Sequence, residues 1–200
     1  MFINIVKSVK CLHDEGYGHY DIKPQNILMV HPYGCKGLDE MIRDTEIKLV
    51  DFGMSNKHHI ESMGTPEYVS PEMFNVEKGF PNNYMSDIWA LGCVLWELLT
   101  KKYLMDYLLV GEKYNYPVTQ IKNNRLLAEK GLNKYLNIYE LTKKFSTFPP
   151  IFQHILQNTL VRNLQDRLTC DAIIDLLEGG IVPPPITTPT PATPPTPATP

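Results

Sequence analysis

Apolar residues at Ile3, Ile5, Val6, Val9 and Leu12 recur at the spacing of one helical face, with Lys7 and Lys10 set between them. The pattern predicts an amphipathic helix over 1–15, ending where Gly16 and Gly18 let the chain turn. Two short aliphatic runs follow, Ile27–Val30 and Ile47–Val50, and read as strands. The residues between them, His31–Glu46, carry Pro32, Gly34, Gly37 and several charges and predict a surface loop. From Ser86 onward the pattern is mostly helical: Asp87–Thr100, segments near Gln120–Lys130 and Lys134–Lys144, then Pro150–Val161 and Asp171–Glu178. Residues 101–149 are rich in Tyr, Asn and Lys, and their periodicity is weak. The expected fold is mainly α with a small β element.

The pattern changes again at the end. Residues 183–200 hold nine prolines and six threonines, and Ile186 is their sole large apolar side chain. Such a stretch buries too little surface to offset the entropy lost on ordering. Residues 1–178 are therefore expected to fold as one domain, followed by a disordered or polyproline-like tail over 179–200. The tail offers a proline-rich strip for a proline-recognising domain, or Thr-Pro sites for phosphorylation.

Composition narrows the classes. Two hundred residues with 43% hydrophobic and 20% charged content suit one soluble domain with a real core. A net charge of −3 provides no basic field for nucleic acid or an anionic membrane. The densest apolar run, Ile88–Leu99, contains Glu97 and is too short to span a bilayer. Cys11, Cys35, Cys93 and Cys170 are scattered without C-x-x-C or paired-His spacing, which favours reduced thiols in an intracellular setting. No signal peptide is visible, because lysines interrupt the first apolar stretch.

The densest chemistry lies in His19-Tyr20-Asp21-Ile22-Lys23-Pro24-Gln25-Asn26, with Asp51-Phe52-Gly53 further on. Asp21 can accept a proton from, or orient, a hydroxyl. Lys23 can set a cation where phosphate charge spreads, and Asn26 and Asp51 offer hard oxygens suited to Mg²⁺. Gly53 allows the backbone conformation that turns Asp51. Either motif alone is commonplace; their order, the flanking strands and the Lys and Asn offsets together are not. The constellation resembles the H-R-D-L-x-x-x-N loop and D-F-G turn of the eukaryotic protein kinase family.

Further residues carry the same resemblance. Gly64-Thr65-Pro66-Glu67-Tyr68-Val69-Ser70-Pro71-Glu72 is similar to the end of the family's activation segment, with Ser70-Pro71-Glu72 in place of A-P-E. Asp87-Ile88-Trp89-Ala90-Leu91-Gly92 is similar to the D-x-W-x-x-G that opens the family's central helix. The resemblance implies ATP and Mg²⁺ as cofactors and transfer of the γ-phosphate to a protein Ser or Thr. It implies Asp21 as the base, Lys23 as the phosphate contact, Asn26 and Asp51 as metal ligands, and Leu28 as the floor under the adenine. Thr65 with Lys23 points to the serine/threonine branch. Glu72 and Arg167 are implied as an ion pair, Asp87 as the support of His19 and Asp21, and His19 with Phe52 as stacked core aromatics.

The chain also departs from the family. Tyr20 stands where the family has the Arg that receives an activation-loop phosphate, and a phenol cannot form that charge-assisted fork. Phosphorylation of Ser55 or Ser62 is therefore not expected to be the usual switch. Gly16-Tyr17-Gly18 lacks the third glycine of a phosphate-covering loop, and no V-A-I-K-like strand occurs. The resemblance thus covers residues 1–178 as the lower, helical lobe. Two classes of function follow: a serine/threonine kinase represented by that lobe, with low or absent activity by itself, or a non-catalytic module binding through its peptide-docking surface or tail.

Overall fold

A computed structural model of the chain describes residues 1–31, 37, 45–56, 64–74, 84–104 and 145–181. The helices expected near 120–130 and 134–144, most of the 31–46 loop and the proline-rich residues 182–200 lie outside the described residues. Within them the order is helix α1 (Phe2–Asp14), strands β1 (Ile27–Val30) and β2 (Glu46–Leu49), then helices α2 (Met85–Thr100), α3 (Pro150–Thr159) and α4 (Cys170–Leu177). Short 3₁₀ turns at Pro24–Asn26, Phe52–Met54, Pro71–Phe74 and Leu164–Asp166 join them.

The core forms around α2. Its residues from Ser86 to Trp96 are all buried, so no polar face remains to solvent over three turns. A helix apolar on every side must lie inside other structure. At Gly92 an added Cβ would stand 2.5 Å from Thr159 Oγ1 and 2.8 Å from Leu160 Cδ2. Glycine there is what lets the end of α3 approach α2 closely. The helix begins at Met85, two residues ahead of its expected start at Asp87, and ends where Lys101 takes a left-handed conformation at φ 59°.

α1 buries Phe2, Ile5, Val6 and Val9 and packs chiefly on α4 and β2. Ile3 and Leu12, on the same sequence pattern, are only half-buried. α4 starts from Thr169, whose hydroxyl accepts a hydrogen bond from the Ala172 amide at 3.2 Å, and it places Cys170, Ile173, Ile174 and Leu176 inside. The two strands are antiparallel, pairing Ile27 with Leu49 and Val30 with Glu46. β2 lies one residue earlier than the aliphatic run suggests, so Glu46 is a strand residue. A two-stranded ribbon is marginal alone, and this one is backed by α1 through buried Ile47. Leu28, Met29 and Val30 remain 48%, 52% and 40% exposed, so β1 shows no buried face of its own.

A buried ion pair fastens the helical body. Arg167 Nη1 and Nη2 donate to Glu72 Oε1 and Oε2, each at 2.7 Å, in a two-pronged fork. Nη1 also donates to the Met85 carbonyl at 2.6 Å, and Nε to the Val161 carbonyl at 2.8 Å. The guanidinium lies 5.3 Å from the centre of the Trp89 ring. One side chain therefore holds the Pro71–Phe74 turn, the start of α2 and the chain after α3. With the Arg167 side chain fully buried and Glu72 partly open, Arg167→Ala is expected to lower unfolding free energy by about 3 kcal/mol, read by urea denaturation.

Candidate active site

The site is built on the loop between α1 and β1. After Gly16, at φ 81°, the chain pairs Gly18 with Asn56 in an isolated bridge and then passes through Tyr20 at φ 62°. A left-handed tyrosine is unusual and needs outside support. Asp87 supplies it: Oδ2 accepts the His19 amide at 2.7 Å and Oδ1 the Tyr20 amide at 2.8 Å. The support therefore reaches His19 and Tyr20; Asp21 is positioned at one remove. The Tyr20 ring lies over Gly18, where an added Cβ would be 2.3 Å from Cζ. Burial, with Asp87 and Tyr84 nearby, pushes the Tyr20 phenol up to about 12.

His19 is fully buried and ties the loop to the end of β2. Its Nδ1 lies 3.3 Å from the Asp21 amide, which donates to it, so Nε2 carries the proton and donates to the Val50 carbonyl at 3.1 Å. The Val50 amide in turn donates to the Asn26 carbonyl at 3.0 Å. The residue just before Asp51 is thereby fixed against the loop that carries Asp21.

The Asp21 carboxylate accepts four hydrogen bonds. Oδ1 takes the Thr65 amide at 2.8 Å and the Thr65 hydroxyl at 2.7 Å. Oδ2 takes Lys23 Nζ at 2.7 Å and Asn26 Nδ2 at 3.0 Å. Burial alone would raise this carboxyl, but the bonds from Lys23 and Thr65 outweigh it and hold it below the usual aspartate range. Lys23 Nζ also donates to Thr65 Oγ1 at 2.7 Å. Asn26 gives its second N–H to the Asp21 carbonyl at 2.9 Å, which leaves the amide oxygen as its acceptor face.

Asp51 is exposed and sits at φ 63°. The left-handed residue of the turn is thus Asp51 itself; Gly53 has no positive φ. Phe52 corrects the sequence reading more firmly. Its ring tilts against His19 with centres 5.2 Å apart, yet the residue is 49% exposed, so only His19 belongs to the core. The chain folds the turn outward there, and among the described residues nothing covers the outer face of that ring. Leu28 likewise stands on the open side of β1, 48% exposed.

One residue that motif reading passed over, and one that it named without a role, complete the geometry. His13, near the end of α1, brings Nε2 to 3.0 Å from Asp87 Oδ2, stacks on Tyr84 at 4.9 Å and sets Nδ1 3.6 Å from Cys170 Sγ. Its partner lies 74 residues away, and no local pattern marks it. Gly64 is the second: an added Cβ would meet the Tyr20 carbonyl at 2.4 Å and Asp21 Oδ1 at 3.2 Å. Only glycine lets Thr65 reach the carboxylate. Among the described residues Cys11, Cys93 and Cys170 are free thiols, no three His, Cys, Asp or Glu side chains cluster as a metal cage, and no helix is long and apolar enough to cross a membrane.

The sequence profile of the protein kinase domain matches residues 1–176. The chain belongs to the protein kinase family. Its relatives include proteins named serine/threonine-protein kinases. It is 32% identical over 194 residues to the serine/threonine-protein kinase nekl-2 of Caenorhabditis elegans, covering 92% of this chain and 47% of that protein. It is 39% identical over 108 residues to mouse serine/threonine-protein kinase Nek9, covering 51% of this chain and 10% of that protein. Against mouse Nek1 it is 29% identical over 187 residues, covering 87% and 12%. The chain thus spans half or less of the length of these kinases.

Two outcomes check the geometry. Gly64→Ala must move the Tyr20 carbonyl or lift Thr65 from Asp21, and a loss of about 1–3 kcal/mol in chemical denaturation is expected. The lowered Asp21 carboxyl contributes stability above the unfolded aspartate value of about 3.9 and loses it as pH falls through the lower folded value. Urea denaturation across that acid range should therefore show a shallower fall for Asp21→Asn than for the wild type.

Proposed function

We propose that this kinase-family chain supplies the helical lobe and reacting face of a serine/threonine protein kinase, transferring the ATP γ-phosphate to a protein hydroxyl. The observation that carries the reading is the Asp21–Lys23–Thr65–Asn26 cluster, in which one ammonium, a side-chain amide, a backbone amide and a hydroxyl converge on one carboxylate. Phosphoryl transfer asks mainly for positioning and for charge matched to the transferring group. Asp21, kept ionised and fixed in direction, orients the acceptor hydroxyl. With its acceptor positions filled, the incoming hydroxyl takes the place of the Thr65 hydroxyl on Oδ1. Lys23 Nζ, held 2.7 Å from the carboxylate, stands beside that point to meet the phosphate charge.

The donor set also fits Mg²⁺. Asn26 has committed both N–H groups to Asp21 and keeps its amide oxygen, while Asp51 presents an exposed carboxylate from a left-handed turn. Two hard oxygens completed by phosphates and water suit this ion better than a full protein cage. Bound there, the metal supplies charge neutralisation for the phosphates. Leu28, exposed on β1, is the proposed contact for the adenine. The free thiols and the use of ATP support an intracellular setting. The Pro/Thr-rich residues 179–200 are proposed as a docking strip for a proline-recognising domain, on the strength of their composition.

The test is nucleotide binding followed by phosphate transfer from γ-labelled ATP to a mixed Ser/Thr substrate such as casein. Saturable Mg-ATP binding is expected, with Asp21→Asn retaining it and cutting transfer by about 10²–10⁴-fold. Transfer that survives Asp21→Asn would overturn the role given to Asp21. A chain that binds no Mg-ATP would instead favour a non-catalytic module acting through its docking surface.

A further inference from the structure

A small cavity lies beneath the Tyr20–Asp21 backbone, between the Thr65–Ser70 segment and the start of α2. Its volume is about 10 Å³, room for one water molecule. Ser70 and Ser86 both line it, and both are nearly fully buried, at 1% and 6% exposure. Each hydroxyl is without a protein hydrogen-bond partner. Elsewhere in this region polar groups are paired closely, Asp21 and Asp87 above all.

A buried hydroxyl without a partner carries a desolvation cost of about 1–3 kcal/mol. Both serines line one water-sized space, which a single water would fit. A water molecule donates to one serine oxygen and accepts from the other, and it takes about three partners when buried. Asp87 also lines the cavity, and its Oδ1 accepts the Tyr20 amide alone among the hydrogen bonds described, so a lone pair remains there. Val69, Met73 and Ala90 supply apolar wall, and the Asp21 carboxylate, which also lines the space, already accepts four hydrogen bonds.

We infer that a single internal water is a structural component of this site, bridging Ser70 Oγ and Ser86 Oγ. It joins the end of the Thr65–Ser70 segment to the first turn of α2, the turn from which Asp87 holds the catalytic loop. The segment that places Thr65 on Asp21 is thus tied at both ends: directly at Thr65, and through water at Ser70. Apolar ligands are excluded by the size of the space and by the two hydroxyls.

Two measurements on the full chain decide it. A high-resolution crystal structure should show ordered density in the cavity within hydrogen-bonding distance of both serine oxygens. An empty cavity, or the two hydroxyls bonded to each other, overturns the inference. Ser70→Ala and Ser86→Ala should each lower the melting temperature, and the double variant should lower it by less than the two shifts combined, because the first change already weakens the water. A rise in melting temperature for either single variant is the signature of a dry cavity relieved of an unpaired hydroxyl, and it refutes the bridge. Independent, additive losses refute it as well.

Discussion

Three donors from two segments converge on the buried carboxylate of Asp87: the amides of His19 and Tyr20, and the imidazole of His13. That convergence holds Tyr20 in a left-handed conformation, and the reversal of the backbone there is what aims Asp21 toward Lys23 and Thr65. An aromatic residue held at φ 62° costs free energy, and two charge-assisted bonds in a nearly dry environment are of the size needed to offset it. The core helix thus does more than fill space. Its first turn fixes the geometry of the reacting loop.

A second constraint works on the other side of the same loop. Gly64 brings the Thr65 segment within contact of the Tyr20 carbonyl, closer than any side chain would permit. Thr65 then supplies both amide and hydroxyl to Asp21, and the Glu72–Arg167 fork anchors the segment's far end to the helical body. Charge, rather than apolar burial, organises this region. That suits the proposed task of orienting a hydroxyl against phosphate charge, since orientation depends on directed bonds.

The exposed face tells a complementary story. Leu28, Met29, Val30 and Phe52 present apolar surface on the β side of the molecule. Their position beside Asp51 marks this as the side from which a nucleotide would approach in the proposed function. On the buried face, by contrast, His19 and Asp87 are paired, and among the described residues the hydroxyls of Ser55, Ser70 and Ser86 are buried without a protein partner.

Sequence alone determined the helical face of α1, the place of α4 in the chain, the buried character of α2, and the residue types gathered near Asp21, because each rests on local periodicity or on a short motif. The resemblance implied Phe52 as a core aromatic, yet it is half-exposed, and the special backbone of the D-F-G turn, expected at Gly53, is carried by Asp51. The sequence held no signal for His13 on Asp87 or for the closeness required at Gly64. Those depend on which residues meet after the chain has folded over dozens of positions. The tertiary structure alone decided that Asp21 would be saturated with donors, that Tyr20 would be left-handed, and that two serines would face one small space. Periodicity reports which side of a helix is apolar; it carries no information on which distant donor a buried carboxylate will find.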